Sequence, residues 1–237
     1  MLTFLLKAEK DPCLLIGRNI RKRTNPIATP VNKKAVSSGT GFAVAKDIVV
    51  TARHVVENKK NIKICFDGRN WINAILVRES ETLDIAVLEV TSPLEHYLPL
   101  TSEEKAYAGD RVFTFGYPVV QILGNEIKYS DGVISAMSGL KGDQTLIQTT
   151  VPIQPGNSGS PLLNEKGEVI GMLTSSAALP AFLRITGTIP QNINWAVKSE
   201  YISVLIDRQL NKKKVGVKTR RQLITAVRQA TCQVLAE

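Results

Sequence analysis

Gln154-Pro155-Gly156-Asn157-Ser158-Gly159-Ser160-Pro161 is the stretch on which the reading of this chain turns. Glycines on both sides of Ser158 free the backbone to lift a hydroxyl out of a tight turn. They also let peptide N–H groups converge on one point, where negative charge would develop during attack on a carbonyl. Gly156 and Ser158 are the expected donors, with Asn157 completing the same loop. An ordinary Gly/Ser turn between two strands has the same composition, so the octapeptide needs partners elsewhere in the chain.

On either side of this stretch the sequence alternates between short β-formers and turn residues. Strands are expected at Thr40–Ala45, Ile48–Thr51, Asn61–Phe66, Trp71–Arg78, Ile85–Val90 and Arg111–Phe115. More follow at Ile127–Ser135, Leu146–Thr150, Pro161–Leu163, Val169–Thr174 and Ile193–Val197. Val, Ile, Thr and aromatic residues dominate several of these runs, and Gly, Asp and Asn punctuate them, as at Asp67-Gly68 and Gly109-Asp110. About a dozen short strands with tight turns predict an all-β fold of two six-stranded antiparallel β-barrels, the second starting near residue 109. Helical periodicity comes late. Ser199 reads as an N-cap for a helix with Tyr201, Ile202, Leu205, Ile206 and Leu210 on one face. A second helix is expected from Thr219, with Gln222 closing a capping box and an apolar face running from Leu223 through Val234 and Leu235.

A serine hydroxyl is a poor nucleophile until a neighbouring base takes its proton. The chain holds two histidines, His54 and His96. His54 directly follows the apolar run Val49-Val50-Thr51-Ala52, where a turn can fix a side chain rigidly; its alternative is a core histidine bonded to backbone. His96, in Ser92-Pro93-Leu94-Glu95-His96-Tyr97, reads as a solvated loop residue. A base of this kind wants a carboxylate to fix its tautomer. Asp84, in Thr82-Leu83-Asp84-Ile85-Ala86-Val87-Leu88, lies in an apolar run where burial without a partner is costly. Asp47, Asp67, Asp110, Asp131 and Asp143 sit in contexts that turn formation explains.

Together these segments resemble the trypsin-like serine peptidases, and within them the HtrA/Deg branch. The matching motifs are Thr51-Ala52-Arg53-His54-Val55, Asp84-Ile85-Ala86-Val87-Leu88 and Gly156-Asn157-Ser158-Gly159-Ser160-Pro161. Their order, His then Asp then Ser, is that of the chymotrypsin type. Ser38-Gly39-Thr40-Gly41-Phe42, Phe115-Gly116-Tyr117-Pro118 and Asp131-Gly132-Val133-Ile134-Ser135 extend the likeness over about residues 36–205. The resemblance implies the trypsin-like double barrel and a serine endopeptidase acting through His54, Asp84 and Ser158 and an acyl-enzyme. It also implies an oxyanion hole at Gly156, Asn157 and Ser158, protein or peptide substrates, and no metal or organic cofactor. Substrate is expected to meet Pro152 and Ile153, before the nucleophile, and Asn194, Trp195 and Ala196. No acidic residue stands in Thr150–Ile153, so a small to medium apolar side chain is expected next to the scissile bond. Two features depart from the family's pattern. Ser160 replaces a glycine, and Arg53 sets a charge beside the base that is expected to point to solvent. With so short a stretch after Ile206, no PDZ domain is expected.

The formal net charge of +9 sits at the ends. Residues 1–35 hold eight Lys/Arg against two Asp/Glu, and residues 206–237 hold the same numbers, so the body between them is slightly acidic. We therefore expect a basic N-terminal segment (1–35), a peptidase domain (36–205) and a basic C-terminal helical tail (206–237). An acidic protein, an anionic membrane surface or nucleic acid are the partners such ends would meet, with a solvated charged face as the alternative. Cys13, Cys65 and Cys232, odd in number and far apart, fit neither a disulfide framework nor a zinc site and read as reduced, buried thiols. The first residues lack the pattern of a secretory signal and no apolar run is long enough to span a bilayer, which points to the cytoplasm. Three alternatives remain open: a catalytically silent, peptide-binding scaffold of this fold, a peptidase module of a larger protein, and an oligomeric assembly.

Overall fold

The computed structural model describes residues 36–101, 106–174, 183–184, 187, 192–207, 210 and 219–237. The expected basic segment 1–35 lies outside them, as does Cys13. Runs of β-branched residues become strands wherever alternate side chains find a core on one face. The first set is β1 (Ser37–Ala45), β2 (Ile48–Ala52), the single-turn helix α1 (Arg53–Val56), β3 (Ile62–Cys65), β4 (Ile72–Ser80) and β5 (Ile85–Val90). Then come β6 (Arg111–Gly116), the short α2 (Val120–Leu123), β7 (Lys128–Ala136), β8 (Leu146–Thr149), β9 (Pro161–Asn164), β10 (Val169–Thr174) and β11 (Asn194–Lys198). Helix α3 (Ser199–Ile206), helix α4 (Arg220–Ala230) and β12 (Thr231–Ala236) follow.

These strands close into two six-stranded antiparallel barrels. The second, β6-β7-β8-β11-β10-β9, is built from one continuous stretch of chain. The first, β1-β12-β3-β4-β5-β2, is not: its sixth strand comes from the far end of the sequence. β12 fills the slot between β1 and β3, with Gly41 opposite Cys232, and both Val234 and Cys232 fully buried.

The expectation of a helical tail running through Leu235 is corrected here. Its beginning holds: Thr219 and Gln222 form the capping box, and Leu223, Val227 and Ala230 face inward. The helix then stops at Ala230, and Thr231-Cys232-Gln233-Val234-Leu235-Ala236 runs as a strand. Over so short an apolar run, helical and extended periodicities are indistinguishable. The unpaired edges of β1 and β3 decide between them, because leaving two interior strand edges open costs a full set of hydrogen bonds. The body of the fold therefore includes residues expected to lie beyond it. Ser199 is likewise not a cap; it is the first residue of α3, and its hydroxyl donates to Thr101 O (3.2 Å).

Val112, Ile134, Ile147, Leu162, Leu173 and Ala196 fill the second barrel. Phe113, Phe115, Leu163 and Met172 point outward from the same strands and join the apolar cluster of the first barrel. Alternation along β6 and β9 thus supplies both a core and an inter-barrel seam.

Candidate active site

β2 leads directly into α1. Every residue of β2 is buried, and so are Val55 and Val56, which pin the turn from below. His54 between them keeps 39% of its side chain exposed. It is not a core histidine. Its ring Nδ1 lies 2.7 Å from Asp84 Oδ2, and its backbone N–H donates to Asp84 Oδ1 (2.9 Å). Asp84 is the last turn residue before β5 and adopts a left-handed backbone, φ 54°, which aspartate tolerates better than most residues. Its carbonyl accepts from Arg53 N (3.0 Å), so backbone and carboxylate together clasp the start of α1. Thr174 Oγ1, at the end of β10, donates to Asp84 Oδ2 (2.6 Å). Burial alone would raise this carboxyl, but the hydrogen bonds from His54 and Thr174 favour the anion more and hold it below the ordinary carboxylate range.

Ser158 lies in the loop before β9 and is 3% exposed. Gly159 N–H donates to Leu173 O (2.8 Å), and Leu173 N–H donates to Ser160 O (2.8 Å). The loop of Ser158 and the carboxylate partner of His54 are therefore hung on consecutive residues of β10, Leu173 and Thr174. Gly159 has φ 87°, and a Cβ there would collide with the Thr40 carbonyl oxygen and lie 2.6 Å from Thr51 Oγ1. Glycine is required at this position by both conformation and space.

Thr40, fully buried in β1, ties this loop to the first barrel. Its N–H donates to Ser158 O (2.9 Å), and its hydroxyl donates to Gly156 O (2.7 Å) while accepting from Tyr117 N (3.0 Å). Its carbonyl accepts from Thr51 Oγ1 (2.7 Å), three residues before His54. Around Ser158 the peptide N–H groups divide into two kinds. Those of Asn157 and Gly159 are spent on Gln154 O (2.9 Å) and Leu173 O, whereas those of Gly156 and Ser158 donate to no acceptor among the described residues. Gly156, with φ 99°, and Ser158 thus remain as the two donors, and Asn157, expected in the same set, does not offer its N–H.

The expected substrate-contacting residues separate. Pro152 is exposed and Ile153 half-buried, beside the loop. Asn194 is half-buried, and its side chain donates to Val151 O (2.9 Å), bracing the segment before the nucleophile loop. Trp195 and Ala196 are buried, and β11 is paired on both sides there, to Thr174 and Leu173 of β10 and to Gln148 and Ile147 of β8. Neither residue has a backbone edge left with which to pair a substrate strand. The strand that reaches the His54–Asp84 pair is β10. Thr174 and Thr40 escaped the sequence reading, because a threonine in a strand is an ordinary β-former and carries no signal of its own. Arg53 also differs from expectation. Its side chain is 17% exposed and pairs with Glu57 (3.1 Å) and Glu79 (3.0 Å) instead of pointing to solvent. Asp131 lies within β7, not in a turn, whereas Asp67, Asp110 and Asp143 accept from turn N–H groups as expected. His96 is exposed, and Cys65 and Cys232 are buried free thiols.

Comparison with known proteins agrees with this fold. The family model for the trypsin-like peptidase domain matches residues 39–172. A serine endoprotease DegS of Haemophilus influenzae is 32% identical over 165 residues, 67% of this chain and 46% of its own length. A probable periplasmic serine endoprotease, DegP-like, of Pseudomonas putida is 35% identical over 144 residues, covering 59% of this chain and 29% of that one. The crystal structure of the serine endoprotease from Yersinia pestis superposes with a TM-score of 0.57 at 25% identity, over 73% of this chain and 61% of that one. The chain thus spans less than half the length of these two sequence relatives. A periplasmic relative lends no support to the cytoplasmic placement expected from the N-terminus, and among the described residues no helix is long and apolar enough to cross a membrane. With the family model covering more than half of its length, the chain belongs to the trypsin-like peptidases, in the company of the DegS- and DegP-like endoproteases.

Proposed function

We propose that the chain is a serine endopeptidase in which Ser158 attacks the scissile carbonyl, His54 moves the proton and Asp84 holds His54 in register. The observation that carries this reading is the shared anchorage on β10. Leu173 secures the loop of Ser158, and Thr174 secures the carboxylate that receives His54 Nδ1. With Nδ1–H donated to Asp84, neutral His54 keeps Nε2 as its basic atom, which is the tautomer a general base needs. Asp84 stays ionised throughout and stabilises the imidazolium that forms when the Ser158 proton is taken. The tetrahedral oxyanion would be met by the N–H groups of Gly156 and Ser158, the two left undonated among residues 156–159. Collapse expels the amine, protonated by His54, and leaves an acyl group on Ser158, which water then removes by the reverse proton path.

Proteins or peptides are the substrate class, and no cofactor takes part. Pro152 and Ile153, with Asn194 bracing Val151 behind them, offer an uncharged wall suited to a small or medium apolar side chain. Hydrolysis of casein tests the reading. Wild-type chain is expected to degrade it, and Ser158→Ala to lose turnover by on the order of 10⁶-fold with an unchanged circular dichroism spectrum. Undiminished cleavage by that variant would end the assignment.

A further inference from the structure

We infer that Thr40 is a positioning residue for the oxyanion donors, acting through the Gly156–Asn157 peptide; the inference rests on the peptidase reading above. This peptide is held at both ends. Its carbonyl, Gly156 O, accepts from Thr40 Oγ1 (2.7 Å), and its N–H, on Asn157, donates to Gln154 O (2.9 Å). The orientation of this one peptide governs its two neighbours, because Gly156 N–H precedes it and Ser158 N–H follows it by one residue each. Gly156 at φ 99° has no Cβ to resist rotation, so the local backbone does not fix the orientation alone. The fixing comes from a different barrel.

Thr40 can do this because each of its polar groups is committed. The hydroxyl spends its single proton on Gly156 O and accepts from Tyr117 N (3.0 Å), so it cannot swing away without stranding a buried N–H. Its backbone N–H holds Ser158 O (2.9 Å), and its carbonyl receives Thr51 Oγ1 (2.7 Å). Residue 40 is 0% exposed, so water has no access to replace the hydroxyl. One side chain on β1 thus sets where the second barrel presents its donors, while the same residue's backbone, through Thr51, is tied to the strand that delivers His54. Thr40 touches no reacting atom, so its role is to orient those that do.

The test is labelling by a biotinylated fluorophosphonate, read as a maximal labelling rate and a half-saturating concentration. Thr40→Val keeps the shape and removes the hydroxyl. Its maximal rate is expected to fall about tenfold or more, with half-saturation within about twofold of wild type. Thr40→Ser, which restores the hydroxyl, is expected to return to within about threefold of the wild-type rate. If the valine variant does not fold, Thr40→Ala, which buries no misplaced methyl, carries the same comparison. Loss of rate that serine does not rescue would make the role one of packing and overturn the inference. Full-speed labelling of Thr40→Val or Thr40→Ala would overturn it too, leaving the peptidase reading intact. A wild-type chain that takes no label removes the peptidase reading itself, and this inference with it.

Discussion

A carboxylate that accepts from His54 Nδ1, His54 N and Thr174 Oγ1 has little reason to take up a proton, and this shapes how Asp84 answers to pH and to substitution. Its folded-state pKa lies below the ordinary value, so the stabilisation it provides is complete above about pH 3.9 and is lost as pH falls through the lower folded value. Calorimetric unfolding between about pH 5 and pH 2 should therefore show a shallower acid-side decline for Asp84→Asn than for wild type; parallel curves would contradict the assigned bonds. On casein the same variant is expected to lose on the order of 10⁴-fold in kcat, because an amide can hold the wrong tautomer of His54. Gly159→Ala probes a different physical limit. The added Cβ meets the Thr40 carbonyl at a left-handed φ of 87°, so a loss of about 1–3 kcal/mol in chemical denaturation is expected, with activity falling alongside. At this scale His54, Asp84 and Ser158 could be singled out as candidates from the sequence because each stands in a motif whose neighbours have no competing use for it. Thr40 and Thr174 were not legible, since their importance lies in partners 116 and 90 residues away that only the fold brings near.

Strand existence was readable wherever β-branched residues alternate between turn signals, and eleven runs from Thr40 to Val197 lie where strands form. The twelfth, β12, was hidden because Val234 and Leu235 extend the apolar face of α4 as naturally as they fit a strand. What separates the two outcomes is the vacancy between β1 and β3, a long-range property that no local window contains. The consequence is testable: β12 is a structural member of the first barrel. Val234→Ala, at a fully buried position facing Gly41, is expected to destabilise by about 2 kcal/mol, whereas Val204→Ala, 78% exposed on α3, should stay within about 0.5 kcal/mol. Equal effects in urea denaturation would mean that the last strand is dispensable. β11 teaches the complementary lesson. Trp195 and Ala196, expected to meet substrate, lie in a strand bonded on both edges, so its backbone has nothing left to pair with another chain.

Across the whole molecule, the C-terminal segment returns past the second barrel to complete the first. On the way, Arg220 at the start of α4 donates to Tyr129 Oη (2.7 Å) and sits 5.9 Å from the centre of the Phe113 ring, linking α4 to β6 and β7. The basic character of residues 206–237 therefore cannot be probed by removing them, because β12 would leave with the charge. Replacing Lys212, Lys213 and Lys214 by glutamine keeps the strand and isolates the charge. If an acidic partner or nucleic acid is bound through these lysines, the slope of affinity against salt should flatten by about two to three units, and an unchanged slope would return them to solubility. The central claim is also one of assembly, since the three proposed active residues come from α1, the turn before β5 and the loop before β9. Mass-spectrometric mapping of the fluorophosphonate adduct tests it most directly. A single phosphonylated site is expected, on the peptide that carries Ser158, absent from Ser158→Ala and strongly slowed in His54→Ala. An adduct on another residue, or labelling of Ser158 that proceeds at full rate without the His54 imidazole, would contradict it.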